Sequence, residues 1–441
     1  MSSAGRTGAG SRLLSSRFWA RGAYSVLLGL LKPAYLVKLW WRGRHEPLYR
    51  HAVLERLGRY AGAPTTGWVW VHAVSLGETR AAASLVEALR AELPGMRLLL
   101  THGTATGREA GQSLLRPGDE QVWLPYDTPG VVRRFFEQFR PAVGVLMETE
   151  IWPNLLHGAK RAGVPMVVAN ARLSEKSLRQ AQRLEAVLRP AAQTLRVALA
   201  QTAADAERLR HAGAPEVEVC GNLKFDMTPD PGLLARGRAW RAGLDRPVVL
   251  AASTRENEEA ALLAAWEGLA GPRPLLWIVP RHPQRFAEVA AAVHEQGWRW
   301  ARRSSWGEGQ PSEGDRAADV WLGDSIGEMP AYYAAADVAL LGGSFAPLGG
   351  QNLIEAAACG CPVVMGPHTF NFADAAELAL QAGAGWRVDT AAEAVARAVE
   401  VIASGQAREA GERALAFAAM HRGGARAMAA RIAAIVREQG G

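Results

Sequence analysis

The sequence predicts an α/β protein with two doubly wound domains, each built on a parallel sheet that helices cover on both faces. The first observation is that short apolar runs alternate with helix-length segments from Trp68 onward, which is typical of buried parallel strands and their crossover helices. The second is that KFDMTPDPGLL, rich in turn-forming residues, interrupts the repeat before it starts again at Pro247. At 441 residues the chain is also long enough for two or three domains. We therefore predict a basic, apolar segment over 1–42, a first domain over 43–227 and a second over 228–441.

Each half contains seven strand candidates, and helical segments lie between them. A final Ala- and Arg-rich stretch from about Ser404 predicts long terminal helices. Ligands of doubly wound folds bind beyond the carboxyl ends of the strands, so we expect the two domains to face a central cleft that holds the site. The strand candidates are WVWVHAV, MRLLLTH, QVWLPY, AVGVLME, PMVVAN, VALA and VEVC in the first half, and PVVLAAS, LLWIVP, WRWARR, DVWLGD, DVALLGG, CPVVMG and GWRVD in the second.

The positive charge is confined to the beginning of the chain. Residues 1–50 contain nine Lys or Arg and one acid, whereas the rest contains 41 basic and 42 acidic residues, so nucleic acid is a poor candidate partner. The run from Tyr24 to Trp41 is largely apolar, but Lys32, Pro33 and Lys38 interrupt it. Aromatic and basic residues around such a run suit an anionic membrane surface, and we expect interfacial insertion, with a single span as the alternative. A helix packed on the protein would also explain the pattern.

The sequence lacks the motifs of several common classes of enzyme. The chain has no G-x-G-x-x-G after the first strand of either half and no G-x-x-x-x-G-K-[ST]. It also has no D-x-D that would clamp a metal–diphosphate donor. Cys220, Cys359 and Cys361 form no disulfide or zinc pattern and suit a reducing cytoplasm. What remains is a group-transfer enzyme that needs no metal, or a binding protein without activity.

Polar residues follow several of the predicted strands. Glu148 and Glu150 end the strand in VGVLMETEIWPN, and a carboxylate there can orient a sugar or a developing charge, although it also suits a helix start. Lys224 in GNLKFD precedes the break between domains and could offset a leaving phosphate, or simply be an exposed lysine. Arg281 and His282 end the strand in IVPRHPQRF, where an arginine can form two hydrogen bonds to a phosphate.

Three segments share the spacing of a helix capping box: Ser75 with Glu78, Ser325 with Glu328, and Asn352 with Glu355. Each is explained by capping alone, and Glu78 is then either a cap or a proton acceptor. Three such helix starts together with Gly342, Gly343, Gly349 and Gly350 favour a nucleotide site, because helix amides attract anions and glycines allow close approach of the backbone.

At these residues the sequence resembles one family closely. The segments SLGE, METEIWPN, NARLSEKS, LKFD, VPRHPQRF, GDSIGE, LGGSFAPLGGQNLIEAA and MGPHTFNF are similar to those of 3-deoxy-D-manno-octulosonic acid (Kdo) transferases, from about Leu36 to the C-terminal helices. The resemblance implies two Rossmann-like domains in the B-type glycosyltransferase fold. It also implies transfer of Kdo from CMP-Kdo to a lipid A precursor at the cytoplasmic face of the inner membrane, with inversion and without metal or other cofactor.

The resemblance also implies roles for individual residues. Glu78 would be the general base, and Glu148 and Lys224 would stabilise the transition state. Gln351 departs from the family, which often has His there, so a protonation role at that position is in doubt. The implied contacts to CMP-Kdo are Pro280, Arg281, Ile326, Gly327, Glu328, Asn352, Leu353, Ile354 and Glu355.

Two other functions remain open on the residues alone. One is a glycosyltransferase of the same fold that uses a different nucleotide sugar. The other is a membrane-bound, non-catalytic nucleotide-binding protein, which would bind CMP without turnover. The number of Kdo units transferred and the oligomeric state are not encoded in any pattern of the sequence.

Overall fold

A computed structural model describes residues 7–306 and 309–440. Contacts between residues divide the chain into two compact units. The first comprises the described residues up to Asp226 together with those from Arg422 onward, and the second runs from Met227 to His421. The predicted pair of parallel-sheet α/β domains is confirmed, and the predicted central cleft stays a prediction.

The first unit contains a seven-stranded, wholly parallel sheet with the strand order β3-β2-β1-β4-β5-β6-β7. All residues of β1 and β4 are buried, because helices cover both faces of the sheet, and this explains the continuous apolar runs in the sequence. Its strands are β1 (Trp68–His72), β2 (Arg97–His102), β3 (Glu120–Trp123), β4 (Val143–Met147), β5 (Met166–Ala171), β6 (Val197–Ala200) and β7 (Val217–Val219), and its helices up to Asp226 are α1 (Thr7–Arg42), α2 (Leu76–Glu92), α3 (Ala105–Gly111), α4 (Pro129–Phe139), α5 (Pro153–Ala162), α6 (Glu175–Gln182), α7 (Glu185–Ala192) and α8 (Ala203–Ala212).

The second unit repeats this architecture, with the parallel strand order β10-β11-β9-β8-β12-β13-β14. Its core includes a cluster of aromatic rings around Trp277, which contacts Trp240, Trp306 and Trp321. Its strands are β8 (Val248–Thr254), β9 (Leu275–Pro280), β10 (Trp300–Arg302), β11 (Val320–Leu322), β12 (Val338–Leu341), β13 (Val363–Met365) and β14 (Gly385–Arg387), and its helices are α9 (Pro231–Ala242), α10 (Glu258–Glu267), α11 (Phe286–Glu295), α12 (Glu313–Arg316), α13 (Met329–Ala335), α14 (Leu353–Ala358), α15 (Ala373–Gln381), α16 (Ala391–Ala403) and α17 (Gln406–Met420).

The last helix, α18 (Gly424–Gly440), returns to the first unit. Met428 and Ile432 are fully buried in the same apolar cluster as Leu85 of α2. The Asp226 carboxylate accepts hydrogen bonds from the amides of Gly423 and Ala425 at 2.6 and 2.7 Å, which fixes the start of this helix. The predicted second domain, 228–441, therefore ends at His421 in the structure, because the apolar face of α18 packs on α2.

The predicted N-terminal segment, 1–42, is occupied by α1, and residues 1–6 lie outside the described residues. One face of α1 docks on the first unit: the Tyr24 hydroxyl donates to Asp127 at 2.9 Å, and the Ser25 hydroxyl donates to Asn154 at 3.1 Å. In the described part of the chain, no helix combines the length and apolarity that a membrane span requires. Membrane association of this segment stays a prediction.

Candidate active site

The site in the first unit lies where the order of its strands reverses. After β1, the chain adds β2 and β3 on one side, whereas β4 to β7 lie on the other. The carboxyl ends of β1 and β4 therefore form a switch point, which is where doubly wound sheets bind ligands. Glu78 follows β1 in the first turn of α2, and Glu148 and Glu150 follow β4.

Glu78 is held by its own loop. Ser75 is the N-cap of α2, and its hydroxyl oxygen accepts from the Glu78 amide at 3.4 Å. The Glu78 carboxylate accepts from the Val74 amide through Oε2 and from the Ser75 hydroxyl through Oε1, both at 2.8 Å. A carboxylate has about four acceptor positions, so these two bonds fix the side chain and still leave each oxygen able to accept another proton. Capping and proton acceptance are therefore compatible at Glu78.

Three carboxyl groups influence one another at this switch point. Burial raises the pKa of Glu150 to about 7, and the charges of Glu78 and Glu148 add to the increase. Burial also raises the pKa of Glu78, and Glu148 contributes in the same direction, although hydrogen bonds from Val74 and Ser75 oppose it. Glu148 has a φ of 59°, a left-handed conformation that is unusual for a residue other than glycine and that is concentrated at functional sites.

Two cations complete the group. Burial lowers the pKa of Lys224 and Arg172 lowers it further, whereas the charge of Glu148 opposes this. The buried Asn170, near the end of β5, accepts from the Leu223 amide at 3.0 Å and so positions the turn that carries Lys224. The structure therefore brings the candidates Glu78, Glu148, Glu150 and Lys224 into one cluster, and adds Arg172 to it.

The switch point of the second unit lies between β8 and β12. Glu258, at the start of α10, is 5% exposed, and its carboxylate accepts from the backbone amides of Arg255 at 2.9 Å, Gly343 at 2.8 Å and Phe345 at 3.4 Å. This one side chain thus joins the loops after β8 and β12. A Cβ at Gly342 would lie 2.3 Å from the carbonyl oxygen of Ser253 in β8, so the close approach of the loop after β12 to the end of β8 requires glycine there.

The predicted donor contacts lie around this second switch point. Pro280 ends β9, and Arg281 is exposed after it, with its amide donating to the Thr254 carbonyl at 2.9 Å. Arg281 and Glu355 both act on the pKa of the buried Tyr333 hydroxyl, Arg281 lowering it and Glu355 raising it, while burial raises it most. The loop after β9 and the first turn of α14 therefore both lie near Tyr333.

The Ser325–Glu328 capping box is wrong. Helix α13 begins at Met329, and Glu328 is its N-cap residue without a side-chain capping bond. The box does not form because the helix begins only after Glu328; the Glu328 carboxylate instead accepts from Arg236 and Arg303, both at 2.7 Å, and from the Ser325 hydroxyl at 2.5 Å. A nucleotide contact in this loop would have to come from the exposed Ile326 and Gly327 or from the outer side of Glu328.

Asn352 is the N-cap residue of α14, and its side chain accepts from the Ile354 amide at 3.2 Å. Glu355 lies in the first turn of this helix. Leu353 and Ile354 are buried, so a ligand would meet their backbone rather than their side chains. Gln351, where the resembled family often has His, lies beside Gly343, with its Nε2 3.1 Å from the position that a Cβ would occupy.

No group of three or more His, Cys, Asp or Glu side chains suited to a metal ion occurs among the described residues. Cys220 and Cys359 are half-buried, Cys361 is buried, and all three are free thiols. Burial raises the pKa of Cys220 to about 11, so it is a poor nucleophile at neutral pH.

Comparisons with known proteins decide the family. A family model described as 3-deoxy-D-manno-octulosonic-acid transferase matches residues 51–227. The chain is 49% identical over 421 residues to the 3-deoxy-D-manno-octulosonic acid transferase of Bordetella pertussis, which covers 92% of this chain and 97% of the relative. It is 33% identical to the Haemophilus influenzae transferase of the same name, over 86% of this chain and 90% of the relative. The chain belongs to the Kdo transferase family. It is therefore a glycosyltransferase, as the resemblance implied.

Solved structures support the fold of this Kdo transferase family member. A glycosyltransferase from Rickettsia africae superimposes with a TM-score of 0.55 at 13% identity, covering 86% of this chain and 99% of that one. An Anabaena protein in complex with UDP gives a TM-score of 0.52 at 15% identity, covering 85% and 99%. At such low identity these structures are similar to this chain in fold alone.

Sequence reasoning did not assign roles to Glu258, Arg172 or Asn170, although NARLSEKS was part of the family resemblance. Arg172 and Asn170 stand at the end of a predicted strand, and that position was the available signal. Glu258 follows the first strand of the second half closely, as Glu78 follows the first strand of the first half, and this parallel could have drawn attention to it.

Proposed function

We propose that this Kdo transferase uses CMP-Kdo as donor and transfers Kdo to a lipid A precursor, with inversion and without a metal ion. The observation that carries the proposal is the group of Glu78, Glu148, Glu150 and Lys224 at the switch point of the first unit. It provides a carboxylate held in place, two more acids and a half-buried cation, which is what metal-free sugar transfer requires.

Glu78 acts as the general base. It accepts the proton of the acceptor hydroxyl while the oxygen of that hydroxyl forms a bond to the anomeric carbon of Kdo, and the bond from that carbon to the CMP phosphate breaks with its electron pair on the phosphate. Attack from the face opposite the leaving group inverts the anomeric centre. A general base contributes roughly 10²–10⁴-fold to such a step.

The other three residues of the group act on the charge of Glu78 and on the charges that develop on the sugar and the phosphate. With a pKa raised to about 7, Glu150 is partly protonated at neutral pH, which reduces the repulsion that Glu78 must overcome to stay ionised. Glu148 stabilises the positive charge that develops on the sugar, and Lys224 stabilises the negative charge on the leaving phosphate.

The donor is held by the second unit. Arg281 is exposed at the end of β9 and can form a forked pair with the single phosphate of CMP. The backbone around Ile326, Gly327 and Asn352 supplies further donors, and Glu258 keeps the loop after β12 in position through the Gly343 amide.

The enzyme works at the cytoplasmic face of the inner membrane in this proposal. Trp19, Val26, Leu30, Val37 and Trp41 are 59–74% exposed and recur along α1 at intervals of seven and four residues, so they form one apolar stripe. Such a stripe, with Lys32 and Lys38 on the same helix, suits insertion at an anionic interface where the acyl chains of the acceptor lie.

The test is a transfer assay with the purified protein, CMP-Kdo and a tetraacylated lipid A precursor. We expect a product heavier by one or more Kdo residues in the mass spectrum, and none with the Glu78→Gln variant. Parallel reactions replace CMP-Kdo by UDP-sugars. Transfer from a UDP-sugar, or binding of CMP-Kdo without any product, would contradict the proposal.

A further inference from the structure

A large cavity in the first unit lies away from the group of acids. It has a volume of about 870 Å³ and is bounded mainly by α1, α4 and α5, with Gln439 near the end of α18 also lining it. Val132, Phe136 and Val164 supply an apolar wall, and arginines from all three helices or their ends supply the polar rim. Such a combination suits a ligand with an anionic group and an apolar part.

The charge of the cavity is strongly positive. Arg21, Arg140 and Arg161 line it, and Glu137 is the single acid among its described lining residues. Glu137 pairs with a fourth lining arginine, Arg133, at 3.6 Å. Within the described chain, no ion pair neutralises the other three guanidinium groups. An anion bound in the cavity would therefore offset the repulsion among these three guanidinium groups.

The cations are close enough to affect one another. Burial lowers the pKa of Arg21, and the charge of Arg161 lowers it further. Burial likewise lowers the pKa of His157, which also lines the cavity, and both arginines add to this. Arg21 on α1 and Arg161 on α5 thus face a common space with His157.

The cavity wall that α1 provides is anchored. Gly22 and Ser25 line the cavity together with Arg21, and the Ser25 hydroxyl donates to Asn154, itself a lining residue, at 3.1 Å. The neighbouring Tyr24 hydroxyl donates to Asp127, which also accepts from the Leu155 amide at 2.7 Å. These bonds hold α1 against the start of α5, so the cations are positioned before any ligand arrives.

The apolar stripe of α1 begins beside this cavity. Val26 is 63% exposed and lies one turn after Gly22, on the same side of the helix, and Leu30 continues the stripe with 74% exposure. We propose that the cavity binds the phosphate group of an anionic membrane lipid, whose acyl chains lie along this stripe. The inference rests on the proposed membrane contact of α1 and extends it from a surface to a single lipid site.

The experiment is isothermal titration calorimetry of the full-length protein with dihexanoyl phosphatidylglycerol below its micelle concentration. Because no membrane is present, this assay does not depend on sugar transfer or on the contact of α1 with a membrane, which flotation of the protein with anionic vesicles would test separately. We expect saturable binding. The zwitterionic dihexanoyl phosphatidylcholine should bind at least about tenfold more weakly, since its ammonium group meets the arginine cluster.

Arg21→Gln and Arg161→Gln should each raise the dissociation constant at least about tenfold, because each removes a charge-assisted hydrogen bond to the phosphate. Arg179→Gln is the matched control: Arg179 is exposed on α6, pairs with Glu175 and lies outside the cavity, so its loss should leave binding unchanged. Thermal melting of each variant confirms that it is folded.

The inference would be overturned by the absence of saturable binding, by equal affinities in the Arg161→Gln and Arg179→Gln variants, or by equally tight binding of phosphatidylcholine. Inorganic phosphate, titrated alone, separates a lipid site from a simple anion site. Binding of phosphate as tight as that of phosphatidylglycerol would also overturn the assignment to a lipid.

Discussion

Replacement of Glu78 by glutamine separates its two functions, because glutamine can preserve the loop and cannot accept a proton in the reaction. The amide oxygen can take the bond from the Val74 amide, and the amide nitrogen can donate to the Ser75 hydroxyl, which now accepts. The loop then exchanges charged hydrogen bonds for neutral ones, at a cost of about 1 kcal/mol in the free energy of unfolding. Transfer should fall at least ~100-fold, as expected for loss of a general base.

Ser75→Ala provides the opposite perturbation. It removes the N-cap of α2 and the hydroxyl that donates to Glu78, which should cost about 0.5–2 kcal/mol of stability and leave the carboxylate in place. Its transfer rate should fall less than about tenfold. Urea denaturation measures stability, and single-turnover transfer from CMP-Kdo measures the chemical step. If Ser75→Ala loses as much activity as Glu78→Gln, or if Glu78→Gln keeps near wild-type turnover, Glu78 is not the base.

Three further predictions concern other residues: the exposed Arg281, the Tyr24 that anchors α1, and the buried His72 and His102. Arg281→Ala should raise the dissociation constant of CMP about tenfold or more in calorimetry and leave the KM for the lipid acceptor unchanged; an effect on the acceptor alone would contradict its donor role. Tyr24→Phe removes a hydrogen bond to the buried Asp127 and should increase proteolysis within α1 without changing CMP affinity; unchanged proteolysis would show that this bond does not hold the helix. Burial lowers the pKa of His72 to about 3 and of His102 to about 4, whereas in the unfolded chain they titrate near 6.5, so stability should fall by up to about 1.4 kcal/mol per pH unit for each histidine as the pH drops from 6.5 towards 4. His102→Gln should flatten that slope in urea titrations, and an unchanged slope would assign it to other groups.

The sequence was informative wherever a pattern is local. Buried parallel strands must be apolar along their whole length, so the two sets of strands appear in the sequence as apolar runs, and the break near Asp226 appears as a run of turn-forming residues. The return of α18 is not visible in this way, because an amphipathic Ala-rich helix has the same pattern whichever sheet it covers. Only Asp226, which accepts from the Gly423 and Ala425 amides, and the packing on α2 decide its place.

The site was less predictable, because its properties depend on partners that are distant in the chain. The spacing of Ser325 and Glu328 matched a capping box, but Arg236 is 92 residues away and its position could not be inferred. For the same reason, nothing in METEIWPN indicated that the pKa of Glu150 is raised to about 7, since the shift comes from burial and from the charge of Glu78, 72 residues earlier.

The two switch points place a glutamate in the same position for different purposes. Glu78 and Glu258 each lie in the first turn of the helix after the first strand of their sheet, and each accepts from a backbone amide of the preceding loop. Glu258 is buried and also accepts from the amides of Gly343 and Phe345, so backbone amides of the protein occupy its carboxylate oxygens. Glu78 is only partly buried, and its carboxylate accepts one bond from the Val74 amide and one from the Ser75 hydroxyl. The Glu78 carboxylate can therefore still accept a proton, whereas the Glu258 carboxylate is used to join two loops. For this reason we propose that proton transfer occurs at the first unit and that the second unit is the scaffold for the donor.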